Sequence, residues 1–189
     1  QRQMCIRDRK KAVSVGMPHS VGHDFFEDLE ARFQEIQRIT TPTGLDFLDA
    51  KDILDGGLGR GELGVVVAPT GCGKSHWLVQ VGAAALKQGR TVVHYTFELS
   101  EVLVGKRYDA NLTNISVNDL LDNKERVKDF YEDNEMGNLI IKYYPTRTAS
   151  VNTIRNHLEK LKFRGHIPSV VIIDYADAVS YTHLTLPTT

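Results

Sequence analysis

Ala68-Pro69-Thr70-Gly71-Cys72-Gly73-Lys74-Ser75 follows the apolar run Leu63 to Val67 and opens a helix-like segment, Trp77 to Leu86. Strand, small-residue loop, Gly-Lys-Ser and helix, in that order, read as a phosphate-binding loop. Small residues let successive backbone N–H groups curl around a polyphosphate, and the helix N-terminus adds its positive dipole end. In this reading Ala68, Pro69, Thr70, Gly71, Cys72 and Gly73 form the cradle. Lys74 reaches the β- and γ-phosphates, and the Ser75 hydroxyl ligates Mg²⁺. The first position is Ala68, where glycine is usual.

Downstream the chain alternates. Leu63 to Val67, Thr91 to Thr96, Leu139 to Tyr144 and Ser169 to Ile173 are predicted strands. Ser75 to Gln88, Glu101 to Leu112, Val117 to Asn134 and Val151 to Phe163 are predicted helices. The last carries Val151, Ile154, Leu158 and Leu161 on one face, with Ser150 placed to cap it. Such alternation predicts an α/β fold, a mostly parallel sheet with helices on both faces and apolar runs in its central strands. Ligands of such sheets sit outside the carboxyl ends of the strands. Two carboxylates fall there. Asp174 ends the run Val170 to Ile173 and is the candidate to hold Mg²⁺ with Ser75. Glu98 stands just past Thr96 and is the candidate general base for an attacking water.

The two ends read differently from the middle. Gln1 to Arg9 back-translates without mismatch to CAG CGT CAG ATG TGT ATA AGA GAC AG, the transposon-end adapter of a common short-read sequencing library. Val179 to Thr188 back-translates to the reverse complement of that adapter. Residues 1–9 and 179–189 are therefore expected to be adapter-derived, leaving Lys10 to Ala178 as an internal fragment of a longer protein. Setting aside Arg2, Arg7, Arg9 and Asp8 takes the 23 basic and 24 acidic residues to 20 and 23, a net charge of −3. No global basic field advertises a nucleic-acid partner. Cys72 is then the lone cysteine, which excludes a disulfide framework and points to an intracellular chain. No run approaches the roughly 20 apolar residues of a membrane span.

Residues 10–41 read as a linker containing an amphipathic helix, and 42–178 as the catalytic core. Within His23 to Ile39, Phe25, Leu29, Phe33 and Ile36 form one apolar stripe with Asp24 as N-cap. Pro42 to Gly44 breaks that helix, Leu45 to Leu54 is predicted as a short one, and the glycines from Gly56 to Gly61 are turn chemistry. Cys72 reads as structurally neutral. The histidines show no metal-ligand spacing. Tyr143, Tyr144 and Tyr175 read as packing at strand ends rather than as a base-stacking platform.

The run Tyr95-Thr96-Phe97-Glu98-Leu99-Ser100, with Arg107 following, resembles the post-strand motif of DnaB-type hexameric replicative helicases, members of the RecA-like ATPase superfamily. Pro42-Thr43-Gly44 with Leu48-Asp49, the Gly56 to Leu63 turn, the loop starting at Ala68, and Val171-Ile172-Ile173-Asp174-Tyr175 agree in order and spacing. Tyr143-Tyr144-Pro145-Thr146 to Ile154 is most similar to the T-even-phage branch. The resemblance covers His23 to Ala178 and implies six cores forming a ring around single-stranded DNA, with ATP hydrolysed at subunit interfaces. It gives phosphates to Thr70 to Gly73 and Lys74, the metal to Ser75 and Asp174, and activation of water to Glu98. Arg107 matches a recurrent basic position whose role stays open between the site and a structural salt bridge. The His23 to Ile39 helix resembles the linker helix that packs on the adjacent subunit. A primase and a helicase loader are candidate partners, a membrane is not, and the implied location is the cytoplasm of a bacterial host of an encoding phage. Because the chain ends soon after Asp174, before later strands, DNA-contacting loops and an arginine finger, this fragment is expected to be inactive alone. A recombinase or clock-type signalling ATPase, and a non-hydrolysing nucleotide-binding assembly module, are the alternatives.

Overall fold

The computed structural model describes residues 38–175. The chain divides into two compact units, Gln1–Gln37 and Arg38–Thr189. Both adapter-like ends and nearly all of the predicted helix of residues 23–39 lie outside the described residues; Arg38 and Ile39 themselves are not helical.

Among the described residues ten elements follow in order: β1 (Thr40–Thr41), α1 (Asp46–Asp49), β2 (Leu58–Gly59), α2 (Lys74–Lys87), β3 (Val92–Thr96), α3 (Glu101–Thr113), α4 (Lys124–Asp133), β4 (Leu139–Tyr143), α5 (Val151–Phe163) and β5 (Val170–Asp174). β1 and β2 form a small antiparallel pair. The central sheet has strand order β4-β3-β5. Both pairings are parallel, with Val92 opposite Leu139 and Val170, and Thr96 opposite Tyr143 and Asp174.

β3 is buried along its whole length because both faces are covered, as parallel strands require. Its period-two alternation sends Val92 to one core and Val93 and Tyr95 to the other. On the first face α2 contributes Val79, Ala83 and Leu86, and α3 contributes Val104, Tyr108 and Leu112, each set at helical spacing. On the second face α5 contributes Ile154 and Leu161, with Leu158 packed beside them. α5 starts where the sequence places it: Ser150 accepts from the Thr153 amide and Thr153 returns a bond to the Ser150 amide, a complete capping box. The predicted α/β sandwich with helices on both faces is the observed architecture.

Three local predictions are corrected. Leu63 to Val67 is not a strand: residues 62–69 form no ladder, and Leu63, Val65 and Val67 are 86%, 72% and 89% exposed. Such a run becomes a central strand only when a neighbouring backbone and covering layers meet it. Among the described residues none does, and β5 pairs only with β3. The predicted helix from Val117 to Asn134 begins only at Lys124. Ahead of it, polar side chains turn the backbone: Ser116 accepts from the Asn118 amide, and the Asn123 amide side chain donates to the Asp119 carbonyl. The predicted helix from Leu45 to Leu54 is one turn, α1, after which Ala50 adopts an extended ψ and residues 51–54 continue as turns.

Candidate nucleotide site

The loop before α2 has the backbone its composition demands. Gly71 and Gly73 have φ of 83° and 85°, in the left-handed region. A Cβ at either would meet open space, so conformation rather than crowding calls for glycine there. Ala68 is not among the positive-φ residues, so its side chain costs the loop nothing. Gly73 caps α2 without any side-chain hydrogen bond, which leaves the first-turn N–H groups to the loop side of the helix. Lys74 and Ser75 occupy that first turn, both half-buried. Lys74 Nζ donates to the carbonyls of Ala68 at 2.8 Å and Pro69 at 3.0 Å, so the ammonium lies over the loop. Cys72 is exposed within it.

The direction of α2 places this turn relative to the sheet. The Gly137 amide, just ahead of β4, donates to the Leu86 carbonyl in the last turn of α2, and the following Gln88 to Arg90 segment leads into β3. The end of α2 is thus at the amino edge of the strands. Its fourteen residues span about 21 Å against about 17 Å for a five-residue strand, so Lys74 and Ser75 are carried toward the carboxyl edge.

Asp174 ends β5 at that edge, buried to 7% exposure and in register with Thr96. Its carbonyl accepts from the Phe97 amide at 2.9 Å. Glu98 follows two residues after Thr96 and is exposed. Its turn is closed from below: Thr96 Oγ1 donates to the Leu99 carbonyl at 2.9 Å, and the Leu99 amide returns to Thr96 Oγ1 at 3.2 Å. Ser100 then caps α3 through the Leu103 amide. Thr96 and Ser100, which sequence reasoning did not single out, therefore hold the segment bearing Glu98. The local signal was present, a hydroxyl at each end of a three-residue turn.

Arg107 lies on α3, half-buried, and makes none of the ion pairs found among the described residues. Its charge acts instead on buried His94 of β3, where Asp174 acts with the opposite sign. Burial dominates at His94 and holds it near 4. Of the tyrosines, Tyr144 packs into the second core, stacked on Tyr95, while Tyr143 and Tyr175 are exposed. Among the described residues no helix is long and apolar enough to cross a membrane.

A loop that cradles anions ahead of a helix, beside two strand-end carboxylates, is what a family comparison can then place. Residues 40–185 match the model of the DnaB-like helicase C-terminal domain. The chain belongs to that family. It is 32% identical over 174 residues to the DnaB-like replicative helicase of Enterobacteria phage T4, an alignment covering 88% of this chain and 37% of that protein. The chain thus spans little more than a third of the length of this curated relative. A solved helicase ATPase domain superposes with a TM-score of 0.62 at 15% identity, over 82% of this chain and 56% of that one. This match shows that the fold is that of a helicase ATPase domain. It agrees with the RecA-like core that the resemblance implied.

Proposed function

We propose that this chain is the ATPase core of a replicative DNA helicase that hydrolyses ATP at subunit interfaces of a homo-hexamer to move along single-stranded DNA. The observation that carries this reading is the gathering of Lys74 and Ser75 with Glu98 and Asp174 toward one edge of the sheet, in a chain of the DnaB-like family. Amides of Thr70 to Gly73 and the Lys74 ammonium hold the phosphates, with Ala68 and Pro69 bounding the loop. Ser75 and Asp174 fit the hard-oxygen preference of Mg²⁺, which when bound offsets negative charge on the phosphates. Glu98, exposed and aimed by the Thr96–Leu99 turn, takes the proton of the water whose oxygen attacks the γ-phosphorus; ADP leaves with inorganic phosphate. Arg107 completes the positive surroundings from α3.

In the same proposal residues 10–41 are the linker and 42–178 the core, within a phage-encoded protein working in the cytoplasm of its bacterial host. A primase and a loader are its candidate partners. The test is made on the full-length polypeptide. Wild type is expected to hydrolyse ATP faster with single-stranded DNA and to unwind a forked duplex. Glu98→Gln should lose hydrolysis by about 10²- to 10⁴-fold while still binding Mg·ATP. Hydrolysis without unwinding would replace this reading with a recombinase- or clock-type ATPase, and binding without any hydrolysis would leave an assembly module.

A further inference from the structure

Tyr108 stands in the middle of α3 with its ring 1% exposed, and its hydroxyl reaches past α2 to the sheet. There it is hydrogen-bonded to His94 Nδ1 at 2.9 Å, the two rings meeting edge-on with centroids 5.7 Å apart. The path is open because α2 carries Gly82 at the crossing. A Cβ at that position would collide with the Tyr108 hydroxyl oxygen and lie 2.9 Å from two ring carbons. A mid-helix glycine weakens a helix, and here it admits one phenol. His94 holds Nδ1 in this bond while its other ring nitrogen, Nε2, is buried with no partner. One turn further along α3, Asn111 donates to Gln80 Oε1 of α2 at 2.8 Å, and Gln80 donates onward to the Gly44 carbonyl at 3.1 Å. Gly44 is itself fixed by Asp49, whose carboxylate accepts from the amides of Thr43 and Gly44.

These contacts tie together the two helices whose first turns adjoin the site. Gly82 lies eight residues into α2 from Lys74, and Tyr108 seven residues into α3 from Glu101. At 1.5 Å per residue the pin sits about 12 Å and about 10 Å below the two starts. The helices are therefore registered at nearly equal depth. A slide of α3 along α2 would carry Glu98, three residues ahead of α3, away from Lys74 and Ser75 with no loss of any group. We propose that Tyr108 and His94, meeting through the gap at Gly82, are positioning residues that hold the Glu98 turn at its working distance from the phosphate loop. This proposal rests on the ATPase reading above.

The test measures steady-state ATP hydrolysis by the full-length polypeptide, together with amide hydrogen exchange of the nucleotide-free protein. Tyr108→Phe removes one oxygen and keeps the ring. It is expected to lower kcat about tenfold with KM for ATP within about twofold, as misplacing a catalytic group by a fraction of an ångström does. Exchange should quicken along both α2 and α3. His94→Gln, which keeps a partner for the hydroxyl, is expected to stay within about threefold of wild-type kcat, and His94→Leu to fall with Tyr108→Phe. If Tyr108→Phe does not fold, the Gln and Leu pair at residue 94 decides the matter in the same assay. An unchanged kcat in Tyr108→Phe, a parallel rise in KM, or equal turnover by the two His94 variants would overturn the positioning role while leaving the ATPase reading in place. A wild type without ATP turnover would overturn both.

Discussion

His94 and Tyr95 are neighbours on β3, yet they face opposite layers of the molecule, and each is hydrogen-bonded to its chemical counterpart across the layer. Toward α2 and α3 the strand supplies the histidine and the helix supplies Tyr108. Toward α5 the strand supplies the tyrosine, and His157 Nδ1 lies 2.8 Å from its hydroxyl. The surroundings differ more than the pairs do. His94 is buried between the charges of Asp174 and Arg107, whereas His157 is half-exposed among Lys142, Lys160 and Arg164. Tyr95 is further packed by Tyr144 at 6.1 Å between centroids. The lesson is a division of labour: the face with the glycine-lined crossing bears on chemistry, and the α5 face anchors the sheet.

Four substitutions or conditions would break or sharpen that division, in falling order of effect. Lys74→Ala should cut ATP turnover by about 10²- to 10³-fold while moving the stability measured by urea melting by no more than about 0.5 kcal/mol. Equal losses of both would erase the distinction. Ile154→Ala, on the opposite face, should cost about 3 kcal/mol in the same melts and leave turnover per folded molecule unchanged.

Acid should expose the third difference. Burial keeps His94 near 4 against an ordinary 6.5, so between those values the unfolded chain binds a proton that the native chain refuses. Stability from this group is complete above about pH 6.5 and is lost as pH falls toward 4, about 3 kcal/mol in all. Melts from pH 7 to 4 should show this slope, and His94→Leu should flatten it. His157, also lowered by burial and by nearby cations, adds a slope of the same sign but smaller, because water reaches it. The smallest effect belongs to the α5 cap. Ser150→Ala should cost about 1 kcal/mol, with no change in ATP turnover, readable as a shift in melting midpoint.

What could be read from residue order follows the range of the forces involved. α5 was legible to the residue because its stripe, its cap and its Thr153 partner lie within one helix. The phosphate loop was legible because its glycines answer a local backbone demand, and Asp174 because a strand end is a local feature. The run Leu63 to Val67 was read from its apolarity, but a strand needs a neighbour that composition cannot name. Val117 to Asn123 failed for the opposite reason, since Ser116, Asp119 and Asn123 satisfy the backbone locally and a helical period does not register that. The meeting of Gly82, His94 and Tyr108 was invisible, because three elements must pack before a glycine, a histidine and a tyrosine far apart in sequence become one contact.

The register of β3 also governs how the molecule comes into being. Val92 must find Leu139 on one side and Val170 on the other, so both edges of the most apolar strand are made early and paired late. Long loop closures of this kind slow folding. On a ribosome, Val92 to Thr96 leaves the tunnel well before β5 is synthesised, and in that interval it offers two bare hydrogen-bonding edges to any other extended chain. Synthesis that is slowed between the codons for β4 and β5 should therefore raise the insoluble fraction, even though no residue has changed.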